Sequence, residues 1–170
     1  ALAERYARHG RSILPYLVGQ LSDRQLAEEV LQDVMVAAWQ GAAGFRGESK
    51  VKTWLLAIAR RKVLNEYRKR KLALVELDEE IGLPSQQEHR LTAHMEKLED
   101  REAVREILYQ LPDEQRETLE LIFYHNLSGV EAAEVLGVSD GTIKSRLYRA
   151  KEKMRGLLLR KEVQDEQRRP

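Results

Sequence analysis

Leu127-Ser-Gly-Val-Glu-Ala-Ala-Glu-Val-Leu-Gly-Val-Ser-Asp-Gly-Thr-Ile-Lys-Ser-Arg-Leu-Tyr-Arg-Ala-Lys151 is the stretch whose reading decides the fold. It resolves into two short helices joined by a tight turn, the second of them basic. Ser128 is placed to cap the first helix, and Glu131, three residues on, completes a capping box. Ala133 is small enough to admit a neighbouring helix. Gly137 stands at the turn, where a residue without Cβ takes positive φ at no steric cost. Ser139 caps the second helix. Ile143 and Leu147 form its inward side, while Lys144, Ser145, Tyr148 and Arg149 fall on other faces. This is the layout of a helix-turn-helix whose second helix enters the major groove of DNA. An ordinary helical hairpin with a solvated basic face is the plainer alternative.

Composition narrows the rest. A chain of 170 residues makes one large domain or two small ones. It has no cysteine, which excludes disulfides and cysteine-ligated zinc. The 4 histidines lack metal-site spacing, and no cofactor or metal is expected. No apolar run approaches the ~20 residues that span a bilayer, and no signal peptide is visible at Ala1, so a cytoplasmic protein without membrane insertion is the expectation. The net charge of +1 is uninformative, but its distribution is not. Arg60, Arg61, Lys62, Arg68, Lys69, Arg70 and Lys71 form one basic block, and Lys144, Arg146, Arg149, Lys151, Lys153 and Arg155 another. Glu76, Asp78, Glu79 and Glu80 lie between them. Two nucleic-acid-facing modules with an acidic connector fit this pattern, as do solvated helix faces.

Helical periodicity dominates the chain, and no strand or hairpin pattern appears. The spacing predicts an all-α fold of two small helical domains joined by a flexible linker. A first helix covers Leu2 to Val18, bent by Pro15. A second begins at Ser22-Asp23, carries Leu26, Val30, Val34 and Ala37-Ala38, and ends near Trp39, before Gly41 and Gly44. Gly44 to Ser49 is a loop. A third helix runs from Lys50 to Lys71 with Val51, Trp54, Leu55 and Ile58 as its buried stripe. Periodicity fades from Leu72 to Arg90. Helix resumes from Leu91 to Leu111, with Leu98, Ile107 and Leu108 facing inward. Leu111-Pro112-Asp113 ends it and starts the next helix, since proline suits a first turn. That helix reaches Tyr124 and buries Leu119, Ile122 and Phe123. The resulting organisation is 1–72, a linker over 73–93, 94–161, and a polar tail over 162–170 that frays.

No catalytic constellation stands out: there is no glycine-rich phosphate loop, no GxSxG and no HExxH. The chain reads as a binding protein and not an enzyme. Phe45, Arg46, Lys50, Lys52 and Trp54 combine aromatic rings with positive charge, which suits single-stranded DNA. Bases stack on rings at about 1–3 kcal/mol each, and lysines neutralise phosphates. The alternative is that the rings are core. The apolar stripe favours that for Trp54, and Phe45 is evenly placed between the two.

Ala27-Glu-Glu-Val-Leu-Gln-Asp-Val34, Trp39, Phe45-Arg-Gly47, Thr53-Trp-Leu-Leu-Ala-Ile-Ala-Arg60 and Tyr67-Arg68 together resemble region 2 of extracytoplasmic-function (ECF) sigma factors. Leu111-Pro112, Arg116, Leu119, Leu127-Ser128, Glu131, Ala133, Leu136-Gly137 and Gly141-Thr-Ile-Lys-Ser-Arg-Leu-Tyr-Arg-Ala150 resemble their region 4. The resemblance spans nearly the whole chain in the family's order. It departs at Arg61, where asparagine is usual, at Asn65, where aspartate is usual, and at Ala132, which replaces a frequent isoleucine. It implies a factor that brings core RNA polymerase to promoter DNA. Glu28, Glu29, Gln32 and Asp33 would then touch polymerase. Phe45, Arg46, Lys50, Lys52, Trp54, Arg60, Arg61, Lys62 and Arg68 would serve the melted −10 element. Thr142, Lys144, Ser145, Arg146, Tyr148 and Arg149 would serve the −35 element, with Arg146 on a phosphate. The resemblance also implies an anti-sigma factor as a further partner. The acidic linker would enter the polymerase channel or act only as a tether. A stand-alone helix-turn-helix regulator and an RNA-binding adaptor are the rival readings.

Overall fold

The computed structural model describes residues 2–47, 49–77 and 102–168. The described residues are helical throughout their regular structure, with no strand among them. The chain divides into two compact units, 1–96 and 97–170. The segment 78–101, with most of the expected linker and Leu98, lies outside the described residues.

In the first unit, α1 (Leu2–Leu21), α2 (Arg24–Gly41) and α3 (Val51–Leu77) pack pairwise against one another. Ser22 (φ 55°) ends α1 in the left-handed region. Asp23 starts α2, its Oδ1 accepting from the Leu26 N–H at 3.0 Å. The core combines Ile13, Leu17 and Leu21 with Val30, Leu31 and Val34 and with Leu55, Leu56, Ala59 and Val63. The Tyr67 hydroxyl donates to the Gln20 carbonyl and fastens the middle of α3 to the end of α1.

Two expectations change here. Val51 is 38% exposed and does not belong to the buried stripe, which is carried by Leu55, Leu56, Ile58, Ala59 and Val63. Val51 is the first residue of α3, where no preceding turn holds it inward. The helix also continues six residues past Lys71 to Leu77, because neither glycine nor proline interrupts Leu72-Ala-Leu-Val-Glu-Leu77.

The second unit holds α4 (Glu102–Tyr109), α5 (Asp113–Leu119), a π-helical turn (Glu120–Tyr124), α6 (Gly129–Leu136) and α7 (Asp140–Arg168). Pro112 is the N-cap of α5 and not its first residue. Leu111, Leu119 and Ala150 form a buried cluster on which Leu108, Leu147 and Met154 pack. The burial after Leu119 differs from the expectation, and a π turn lies there. The His125 N–H donates to the Glu120 carbonyl at 3.0 Å, one residue further back than in an α-helix. Leu121 is buried, four residues after Glu117 and three after Thr118, and so continues their buried side, while Ile122 is half-buried and Phe123 is 63% exposed. α7 continues past Lys161 to Arg168. Lys161 Nζ donates to Glu106 Oε2 at 3.0 Å and ties that end of α7 to α4.

Candidate nucleic-acid interface

The helix-turn-helix is built by local chemistry. Ser128 Oγ accepts from the Glu131 N–H at 3.1 Å, and Glu131 Oε2 accepts from the Ser128 N–H at 2.8 Å, which closes the capping box. Gly137 takes φ 66° and ψ 36°, and the Val138 N–H then bonds the Ala133 carbonyl at 3.0 Å. This is the paired closure of a helix by a left-handed glycine. Ser139 starts α7 by accepting the Thr142 N–H at 3.2 Å. Thr142 Oγ1 lies 2.9 Å from Ser139 Oγ, so this half-buried side chain is occupied in the cap.

The turn fixes which way α7 faces. Ile143 and Ala150 are buried and Leu147 half-buried, while Lys144, Ser145, Tyr148 and Arg149 are exposed. At about 100° per residue these four share one arc opposite the buried side. Tyr148 is 69% exposed, so its ring is presented outward. Arg146 lies apart from this arc. Its side chain is only 17% exposed, and its Nη2 lies 3.3 Å from Glu114 Oε2 on α5. Arg116, quoted above only as part of a pattern, is buried and pairs with Asp113.

In the first unit, Phe45 and Trp54 are half-buried and stack with centroids 4.7 Å apart, tilted by 32°. Neither ring is in the core proper. With Met35, Ala38 and Trp39 they line a cleft of about 400 Å³. Trp39 is 66% exposed at its edge, a prominence that its place at the end of α2 did not signal. Arg46 and Lys50 are exposed nearby, and Lys52 is half-buried.

The basic block of α3 is spread around the helix. Arg60 is half-buried. Arg61 is exposed, and its Nε donates to the Ala57 carbonyl at 3.4 Å. Lys62 and Arg68 line a second cleft, of about 300 Å³, together with Asp33, Asn65, Glu66 and Lys69. Two residues expected on DNA and one expected on polymerase thus share a cleft between α2 and α3. The Glu66 carboxylate accepts from Lys69 Nζ at 2.9 Å. This hydrogen bond and the charge of Glu66 hold the Lys69 ammonium above its ordinary pKa, with desolvation opposing and Asp33 adding to the effect. Glu28, Glu29, Gln32 and Asp33 are all exposed on one side of α2, Glu28 paired with Arg24 at 3.1 Å. Among the described residues no group of three or more acidic or histidine side chains is placed to hold a metal. No helix among them is long and apolar enough to cross a membrane.

Residues 2–72 match the family model for sigma-70 region 2, and residues 101–154 match that for sigma-70 region 4. The ECF RNA polymerase sigma factor SigM of Bacillus subtilis (strain 168) is 31% identical over 154 residues, covering 91% of this chain and 93% of SigM. The chain belongs to the ECF sigma factors of the sigma-70 family. The sigma factor YlaC of the same organism is 30% identical over 152 residues, covering 89% of this chain and 88% of YlaC. Among solved structures, the sigma factor RpoE in complex with the anti-sigma factor NepR from Bartonella quintana aligns with a TM-score of 0.69 at 26% identity. That alignment covers 92% of this chain and 95% of RpoE. As an ECF sigma factor, the protein directs core RNA polymerase to promoters, where transcription starts. Its first unit contains region 2, and its second carries region 4 with the helix-turn-helix.

Proposed function

We propose that this sigma factor divides promoter reading between its units, with α7 in the major groove of the −35 element and the Phe45–Trp54 cleft on the melted −10 element. The observation that carries the reading is the exposed arc of Lys144, Ser145, Tyr148 and Arg149 on a helix whose opposite side is buried. Arg149 is suited to a bidentate pair with guanine, worth about 1–3 kcal/mol of discrimination. Tyr148 offers a ring to a thymine methyl. At the −10 element, extruding a base costs a few kcal/mol. The Phe45, Trp54 and Trp39 rings offset that cost by stacking, while Arg46, Lys50, Lys52, Arg60, Arg61, Lys62 and Arg68 supply positive charge to the phosphates. Glu28, Glu29, Gln32 and Asp33 form the polymerase-facing side of α2. The functional limits are 1–72 for the −10 and polymerase unit and 94–161 for the −35 unit.

The protein has no enzymatic activity of its own and works through polymerase in the cytoplasm. An anti-sigma factor holds it inactive by covering the polymerase-facing surfaces. Support for that comes from the related RpoE, which was solved with the anti-sigma factor NepR.

The test is run-off transcription with sigma-free core polymerase on fragmented genomic DNA, mapping RNA 5′ ends. Discrete starts that share upstream −35 and −10 motifs are expected. Charge reversal at Lys144 and Arg149 abolishes the −35-dependent starts and leaves core binding intact. Equal loss of core binding overturns the division of labour between the units.

A further inference from the structure

Of the cations in the first three turns of the recognition helix, Lys144, Arg146 and Arg149, the exposed arc excludes Arg146. Arg146 sits about 60° beyond Arg149 around α7, on the side turned toward α5. Its side chain is 17% exposed, while Lys144 and Arg149 on the same helix are exposed. Glu114 Oε2 lies 3.3 Å from its Nη2. Glu114 is in the first turn of α5, and its neighbour Asp113 is taken up by the buried Arg116. The carboxylate that faces Arg146 is therefore Glu114.

We infer that Glu114 is a positioning residue for promoter recognition: it holds Arg146 against α5, so that Arg146 pairs with protein and not with a DNA phosphate. This rests on the reading of α7 as the −35 helix. Phosphate contacts hold a protein on DNA without carrying sequence information directly. A cation withheld from phosphate leaves the contact to Lys144, Ser145, Tyr148 and Arg149. Glu114 thereby limits the sequence-independent share of binding, and it braces α7 on α5 beside the reading face.

The pairing of a cation with phosphate is measurable, because each one adds about 0.9 to the slope of log affinity against log salt. The experiment uses holoenzyme assembled from core polymerase and the full chain, titrated onto promoter duplex over a range of salt. R146Q is expected to keep the wild-type slope. E114A is expected to steepen it by about 0.9, as the released Arg146 finds a phosphate. The double variant returns to the wild-type slope, a pattern that mere loosening of the fold does not produce. Charge reversal at Lys144 and Arg149 serves as the control and is expected to abolish −35-dependent binding. A lower slope in R146Q alone overturns the assignment, because Arg146 would already be on a phosphate. An unchanged slope in E114A overturns it as well. Promoter binding unaffected by that charge reversal removes the −35 reading, and the assignment with it. Far-UV circular dichroism of each variant verifies that the helices are intact.

Discussion

Replacing Gly137 by alanine tests the helix-turn-helix at its joint. Gly137 holds φ 66°, and a Cβ built there meets nothing within 4 Å, so the substitution involves no clash and isolates the backbone term. A left-handed L-residue costs roughly 1–2 kcal/mol. Alanine returns about 0.4–1 kcal/mol by restricting the unfolded chain. The net loss is about 1 kcal/mol, which in a unit of this size lowers Tm by about 4–8 °C. Gly129→Ala is the internal comparison. Its Cβ meets Ile143 Cγ2 at 3.8 Å, an ordinary contact, and its φ is not positive. It opens α6, so alanine there is expected to be neutral or stabilising by up to about 1 kcal/mol. Gly137→Asn should fall between wild type and Gly137→Ala, because asparagine tolerates the left-handed region. The assay is thermal unfolding followed by far-UV circular dichroism and by tryptophan fluorescence. Both tryptophans, Trp39 and Trp54, lie in the first unit, so fluorescence is blind to the second. The dichroism transition should move in Gly137→Ala while the fluorescence transition stays. Equal stabilities for Gly137→Ala and Gly129→Ala would refute the left-handed turn as the source of the effect.

Leu121→Ala should destabilise the second unit by about 2–5 kcal/mol, as a buried leucine does, whereas Phe123→Ala should stay within about 0.5 kcal/mol. Urea titrations that reverse this order would overturn the burial of Leu121 and the exposure of Phe123. Replacing Gln32 and Asp33 by alanine should weaken core polymerase binding several-fold, measured by fluorescence anisotropy of labelled sigma factor, and unchanged affinity removes that side of α2 from the interface. Phe45→Ala should reduce promoter melting by the equivalent of about 1–3 kcal/mol, read as permanganate reactivity of −10 thymines in the holoenzyme complex. Full reactivity in that variant assigns Phe45 to packing against Trp54 alone.

What the sequence reveals here follows the range of the interaction. The capping box of Ser128 and Glu131, the cap at Ser139 and the left-handed Gly137 are decided within a few residues, and all were legible in the residue order. The inward placement of Ile143 follows from the cap, because fixing the first turn of α7 fixes the phase of every later one. The π turn was not legible, because a hydrogen bond that slips by one residue leaves no mark on composition, and Leu121 is buried in place of Phe123 because the buried side runs through the polar Glu117 and Thr118. The stacking of Phe45 on Trp54 depends on how the loop folds back on α3, which neither residue's neighbours specify. Tertiary partners of charged groups are the hardest to foresee. Lys144 and Arg146 are equivalent in a list of basic residues, but α5 supplies the Glu114 carboxylate to Arg146. Glu66 likewise engages Lys69 within the α3 basic block. A charge count gives the total available to DNA before folding. The fold then decides which cations already have a protein partner, and that choice sets both the salt dependence of binding and the part of it that carries sequence.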